Sequence, residues 1–120
     1  ALVLCDLHDS ATHAPIAVSP RGMLRRQLER AAAMGFTAMG GSEYELYLFK
    51  DSYAAARRKH HHDLEPIGDY NEDYHILQGS REEHIMGALR RALDQSGVPV
   101  EFSKGEAGLG QQELNLRFSD

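Results

Sequence analysis

VPVEFSKGEAGLGQQELNLRF, residues 98–118, decides how this chain folds. Its second half alternates: Leu114, Leu116 and Phe118 fall on one face of an extended strand, and Glu113, Asn115 and Arg117 on the other. Val98 to Phe102 reads as a second short strand, with Pro99 near its start. Gly108 and Gly110 lie between them and let the chain reverse so that the two strands pair. Along one straight strand, Glu106 and Glu113 would stand on opposite faces. A turn through the glycines brings both acids to a common face.

Upstream, Ser80-Arg81-Glu82-Glu83 has the form of a capping box, and the stripe Ile85, Met86, Leu89, Leu93 ending at Gly97 predicts a helix after it. Residues 36–50, FTAMGGSEYELYLFK, contain a strand with Tyr44, Leu46 and Leu48 on one face and Glu43 and Glu45 on the other. From Asp51, DSYAAARRK predicts a short helix, followed by a polar connection to residue 75. Ser19-Pro20 caps another helix, whose apolar stripe runs to Met34 and stops at Gly35. The β-prone run Ala1 to Leu7 predicts a first strand. The expected order is β-α-β-α-α-β-β: an α+β fold with an antiparallel sheet.

One domain is the size expected of 120 residues, and 42% hydrophobic against 26% charged residues is the balance of a folded globular chain. A net charge of -5 argues against binding nucleic acid through its phosphate backbone. Arg21, Arg25, Arg26 and Arg30 share helical spacing with Leu24, Leu28, Ala31 and Ala32, which makes them a solvated or partner-facing surface. Cys5 is alone, so neither a disulfide nor a CxxC motif forms within the chain, and a reducing cytoplasm fits. The run ALVLC is interrupted by Asp6 too early for a membrane span or signal peptide. Lacking an initiator Met and opening in a strand-like run, the sequence reads as a piece of a longer polypeptide.

Glu43 and Glu45 on one strand face have Cα atoms roughly 6.5–7 Å apart. Like charges at that spacing repel unless a cation lies between them, although such pairs are also common on solvated strands. Joined by Glu106 and Glu113, they form an oxygen-rich set of the kind preferred by Mg²⁺ or Mn²⁺. The competing run His60-His61-His62 cannot turn three adjacent side chains one way and has no partner at zinc-ligand spacing, so it reads as a helix end at the surface. No phosphate loop, nucleophile elbow or dinucleotide fingerprint is present.

GSEYELYLF (41–49) with VEFSKGEAGLGQQELNLRFSD (100–120), preceded by LCDLHD and PRGMLRRQLERAAAMGF, resembles the first part of the catalytic domain of the glutamine synthetase family, which includes γ-glutamyl-polyamine ligases. The resemblance covers nearly the whole chain. It implies the antiparallel sheet with helices of the glutamine synthetase/guanidino kinase-like catalytic domain, with residues 1–120 as its amino-terminal portion. It also implies ATP-dependent ligation of ammonia or an amine to the γ-carboxylate of glutamate through a γ-glutamyl phosphate. Glu45, Glu106 and Glu113 would hold one metal ion and Glu43 would contribute to a second. Glu101 and Phe118 would contact the nucleotide, and Tyr74 would line the amine site.

On the residues alone, Glu101 is an ordinary strand acid, Phe118 a core-facing partner of Leu114 and Leu116, and Tyr74 a packed tyrosine. The family's β-grasp domain and its later histidine and arginines lie outside these residues. The isolated piece is therefore expected to be inactive, and the full-length parent to form a homo-oligomeric ring in the cytoplasm. SKGE (103–106) lacks the histidine-rich stretch of the common bacterial enzymes and leaves the acceptor open between ammonia, a polyamine and another amine. Two other readings remain: a non-catalytic metal-binding or assembly module on this scaffold, and an interaction domain whose acids are all at the surface.

Overall fold

The computed structural model describes residues 3–119. They form two compact units, one within Ala1–Gly40 and the other Gly41–Ser119.

In the first unit, helix α1 (Pro20–Ala33) starts where expected, with Ser19 extended at the N-cap and proline at the first helical position, and Gly35 ends it at φ +85°. Among the described residues of the predicted strand Ala1 to Leu7, no strand forms. Residues 1 and 2 lie outside the described residues, and 3–7 make no ladder. An extended run needs a partner strand, and here the neighbouring segment offers a single bridge, His8 to Pro15, whose proline has no N–H to donate. The Asp9 carboxylate turns the chain instead, accepting from the N–H groups of Ala11 and Thr12 at 3.0 and 2.7 Å. Asp6 pairs with Arg21 and Arg25 at 2.7 and 2.9 Å, so the basic face of α1 is a solvated ion-pair surface.

The second unit carries β1 (Glu43–Tyr47), α2 (Tyr53–Arg58), α3 (Ile76–Arg81), α4 (Glu83–Gln95), β2 (Val100–Gly105) and β3 (Gln111–Leu116). The sheet is antiparallel in the order β1-β3-β2, so the fold is α+β as the pattern predicts. Strands β2 and β3 pair across the glycine turn. Gly110 takes φ +70° there, where an added Cβ would stand 2.6 Å from the Leu48 carbonyl oxygen.

Because β3 is central, both of its faces are covered: Gln112, Glu113, Leu114 and Asn115 are all buried. Alternation along that stretch therefore separates two covered faces rather than a core from solvent. Arg90 of α4 donates to the Ser103 hydroxyl at 2.6 Å, which sets the helix over the face bearing Ser103, Leu114 and Gln112. Met86 and Leu114 are the large buried apolar side chains.

Ser80 does not cap a helix. The helical region begins earlier, at Ile76, where His75 Nδ1 accepts from the Gln78 N–H at 3.3 Å. Ser80, now inside α3, donates its hydroxyl back to the Ile76 carbonyl at 2.7 Å. The Glu83 carboxylate is held by Arg90 at 2.5 Å, so neither half of the capping box forms.

Helix α2 is closed at both ends by Asp51 and Ser52. Ser52 Oγ accepts from the Ala55 N–H at 3.2 Å, while the Asp51 carboxylate accepts from Lys59 Nζ at 2.7 Å and from the Glu65 N–H at 2.7 Å. The Lys59 bond, then the Glu65 N–H, hold the Asp51 carboxyl below its ordinary 3.8. A depressed carboxyl stabilises the fold above its unfolded value, and that contribution disappears as pH falls through the folded one. Asp51→Asn is therefore expected to lower the thermal midpoint at neutral pH, with the gap to wild type closing only below pH 3.8. Equal midpoints at neutral pH would contradict this.

Candidate metal centre

Residues paired directly across an antiparallel sheet point to the same face. Glu45 pairs with Glu113, and Glu113 with Lys104, so two acids and a cation form one row across β1, β3 and β2. Glu43 is opposite Asn115 in the next row, and Tyr47 opposite Gln111 on the other side. Glu106 comes round through the turn, where its N–H donates to the Gln111 carbonyl at 2.9 Å. The sheet thus brings Glu43, Glu45, Glu106 and Glu113 to the face opposite α4.

Hydrogen bonds hold this face in order. Gln111 Nε2 donates to Glu45 Oε2 at 2.6 Å, and Gln111 Oε1 accepts from the Tyr47 hydroxyl and the Gly108 N–H, each at 2.9 Å. Asn115 Nδ2 donates to Glu113 Oε1 at 2.6 Å. Lys104 Nζ contacts Glu106 and lies 3.2 Å from Asp73 Oδ1 and 3.4 Å from Glu113 Oε2. Burial disfavours the Lys104 ammonium, but bonds to Glu106 and Asp73 and the charge of Glu113 outweigh it, and the net shift is upward. The adjoining Glu113 carboxyl, Lys104 and the Ala107 N–H together hold the Glu106 carboxyl well below its ordinary range.

Tyr74 stands at the rim of this group, mostly exposed, with its ring centroid 4.5 Å from Lys104 Nζ. Its φ of +55° is an uncommon conformation for a bulky side chain. Glu101 lies on a bulge, where the register shifts between Val100 and Phe102, and its side chain is exposed. Phe118 follows β3 and is 66% exposed, so it is not the core partner its spacing with Leu114 and Leu116 suggests. His60 and His61 take φ of +52° and +60° just past α2, at an exposed helix end.

Four residues that the pattern passed over complete the arrangement. Lys104 precedes Glu106 by two positions on the same strand side, which is a readable signal. Gln111 and Gln112 are neighbours on β3 and must face opposite ways. Gln112 donates to Glu72 Oε2 at 2.8 Å beneath the sheet. Burial, with the charge of Glu82 adding to it, pushes the Glu72 carboxyl up, and its Oε1 has no hydrogen-bond partner. Nothing in the polar run 60–75 marks Glu72 as a buried residue.

The donors fit a hard divalent cation in type, since all are carboxylates, and in balance, since three acids share the one ammonium of Lys104. Among the described residues no three acidic, histidine or cysteine side chains are gathered at a single point as a ready-made site.

Residues 17–120 match the glutamine synthetase catalytic domain, and the chain belongs to that family. It is 39% identical over 88% of its length to a γ-glutamylethanolamide synthetase of Streptomyces coelicolor, covering 23% of that protein. Over its whole length it is 32% identical to a glutamate–isopropylamine ligase of a Pseudomonas species and to a glutamine synthetase of Mycolicibacterium smegmatis, covering 26% and 25% of them. The chain spans about a quarter of the length of these curated relatives. No helix among the described residues is long and apolar enough to cross a membrane.

Proposed function

We propose that this chain is the amino-terminal portion of the catalytic domain of an ATP-dependent ligase that joins ammonia or an amine to the γ-carboxylate of glutamate. The observation that carries this reading is the row Glu45–Glu113–Lys104 with Glu106 turned onto the same face. Glu45, Glu106 and Glu113 would hold one Mg²⁺ or Mn²⁺, and Glu43, farther along β1, would contribute to a second. Such ions supply charge neutralisation for the ATP phosphates and the substrate oxygens.

The chain's own residues then position and screen. Gln111 fixes the Glu45 carboxylate and Asn115 fixes Glu113, so neither acid has to be ordered when ligands arrive. Tyr74, exposed at the rim beside Lys104, would bound the amine acceptor. Glu101, turned outward by the bulge, and Phe118 beyond β3 would flank the nucleotide. The ligation itself requires the remainder of the protein, including the subunit contacts of a homo-oligomeric ring.

Two relatives are named for alkylamine-type acceptors, ethanolamine in one and isopropylamine in the other, and this favours an organic amine over ammonia. The full-length protein, given ATP, Mg²⁺, glutamate and a panel of ammonia, ethanolamine, isopropylamine and a polyamine, should release phosphate in step with amide formation. It should be fastest with one of the organic amines. Absence of glutamate-dependent phosphate release with every amine would remove the ligase reading and favour the non-catalytic module. Ammonia as the best acceptor would overturn the organic-amine preference alone.

A further inference from the structure

Lys104 lies inside the group of acids proposed to hold metal. Its side chain is 13% exposed, and its ammonium contacts Glu106 and Glu113, the inner pair, together with Asp73 on the outer side. A divalent ion bound directly by Glu106 and Glu113 would enter the space that this ammonium holds. Two cations cannot share those oxygens without strong repulsion in a partly desolvated site.

The same ammonium already has partners on the rim side, toward which it can withdraw. Asp73 Oδ1 is 3.2 Å from Lys104 Nζ, with its side chain 39% exposed, and the Tyr74 ring lies beside it, 4.5 Å from Nζ at its centroid. This rim is fixed from beneath. The Asn71 carboxamide oxygen accepts from the Asp73 N–H at 2.9 Å, and the Glu72 carbonyl accepts from the His75 N–H at 2.9 Å, a turn that holds Tyr74 at its positive φ. Strain of that kind persists only where surrounding contacts enforce it.

We propose that Lys104 is an internal placeholder cation: it closes the acid group in the metal-free protein and moves outward onto Asp73 and Tyr74 when a divalent ion takes its place. Lys104 is thus a positioning residue for the metal ligands, and metal occupancy is reported to the 71–75 segment through it. The proposal rests on the metal-site reading above.

The test uses Mn²⁺ binding to the full-length protein, followed by electron paramagnetic resonance of the free ion, together with reductive methylation of Lys104 followed by mass spectrometry. K104M should bind Mn²⁺ about tenfold more tightly than wild type, the change expected when a site closed roughly nine-tenths of the time is held open. K104R, which keeps the cation, should remain close to wild type. Lys104 of the wild-type protein should methylate faster at saturating Mn²⁺ than without it, a change that general charge removal would not produce. Equal or weaker binding by K104M, or methylation of Lys104 indifferent to Mn²⁺, would overturn the proposal. E113Q separates the two levels of the argument. If it binds Mn²⁺ as wild type does, the metal site itself is misassigned and the placeholder fails with it. If it loses Mn²⁺ while K104M is unchanged, only the placeholder fails.

Discussion

Glu113→Gln in the full-length protein is expected to lower ligase turnover by several hundredfold to a few thousandfold while leaving the fold intact. A metal-bound transition state gains several kcal/mol from its ion, and each 1.36 kcal/mol lost is about a factor of ten in rate. Glu113 sits at the centre of the central strand, its carboxylate shared between Asn115 and Lys104. Glutamine keeps the length and shape of the side chain, and Lys104 retains Glu106 and Asp73 as partners, so no buried cation is left alone. The measurement is kcat with saturating ATP, glutamate and amine, alongside circular dichroism. Turnover within about tenfold of wild type would place the required metal ligands elsewhere.

Gly105→Ala is expected to damage the same site by a different route. At Gly105 the chain passes directly against residue 72, and an added Cβ would stand 2.4 Å from the Glu72 carbonyl oxygen and 2.7 Å from its Cγ. The nearest atom is backbone and cannot rotate away. Overpacking of this kind costs about 1–3 kcal/mol, and relief requires residues 72–74 to lift. Lifting them carries Asp73 and Tyr74 away from Lys104 and pulls Glu72 from Gln112. Lower stability should therefore be accompanied by weaker amine saturation, read as a raised KM for the amine together with a reduced urea midpoint. An unchanged midpoint would show that the 72–74 segment is free to yield.

The parts of the fold legible in the sequence were those decided by local periodicity. Ser19-Pro20 to Gly35 gives α1 its limits, the glycines of the last turn pair β2 with β3, and Glu43-Tyr44-Glu45 places two acids on one face. What was not legible depended on partners distant in sequence. The first apolar run looks like a strand, yet extended backbone forms only against another strand. Ser80 has the spacing of a cap but lies within α3, because His75 had already capped that helix. In the candidate site the acids announced themselves by type and spacing. Lys104 was legible from its spacing to Glu106, but Asp73 and the two glutamines were not, because an aspartate in a polar run or a glutamine beside a turn has no chemistry until a neighbouring segment supplies its counterpart.

The adjacent glutamines of β3 also bear on how accurately this strand is set. Gln111 reaches Glu45 above the sheet, and Gln112 reaches Glu72 below it. Shifting the strand by one residue would exchange every side chain between faces. Because the two neighbours are identical, a slip in one direction puts Gln111 in reach of Glu72 but leaves Gly110 in the place facing Glu45, and a slip in the other sets Glu113 against the buried Glu72. Either way one of the two carboxylates loses its amide partner and Glu113 leaves the face it shares with Glu45. Only the observed alignment gives Glu45 and Glu72 an amide each while turning Glu113 toward Glu45.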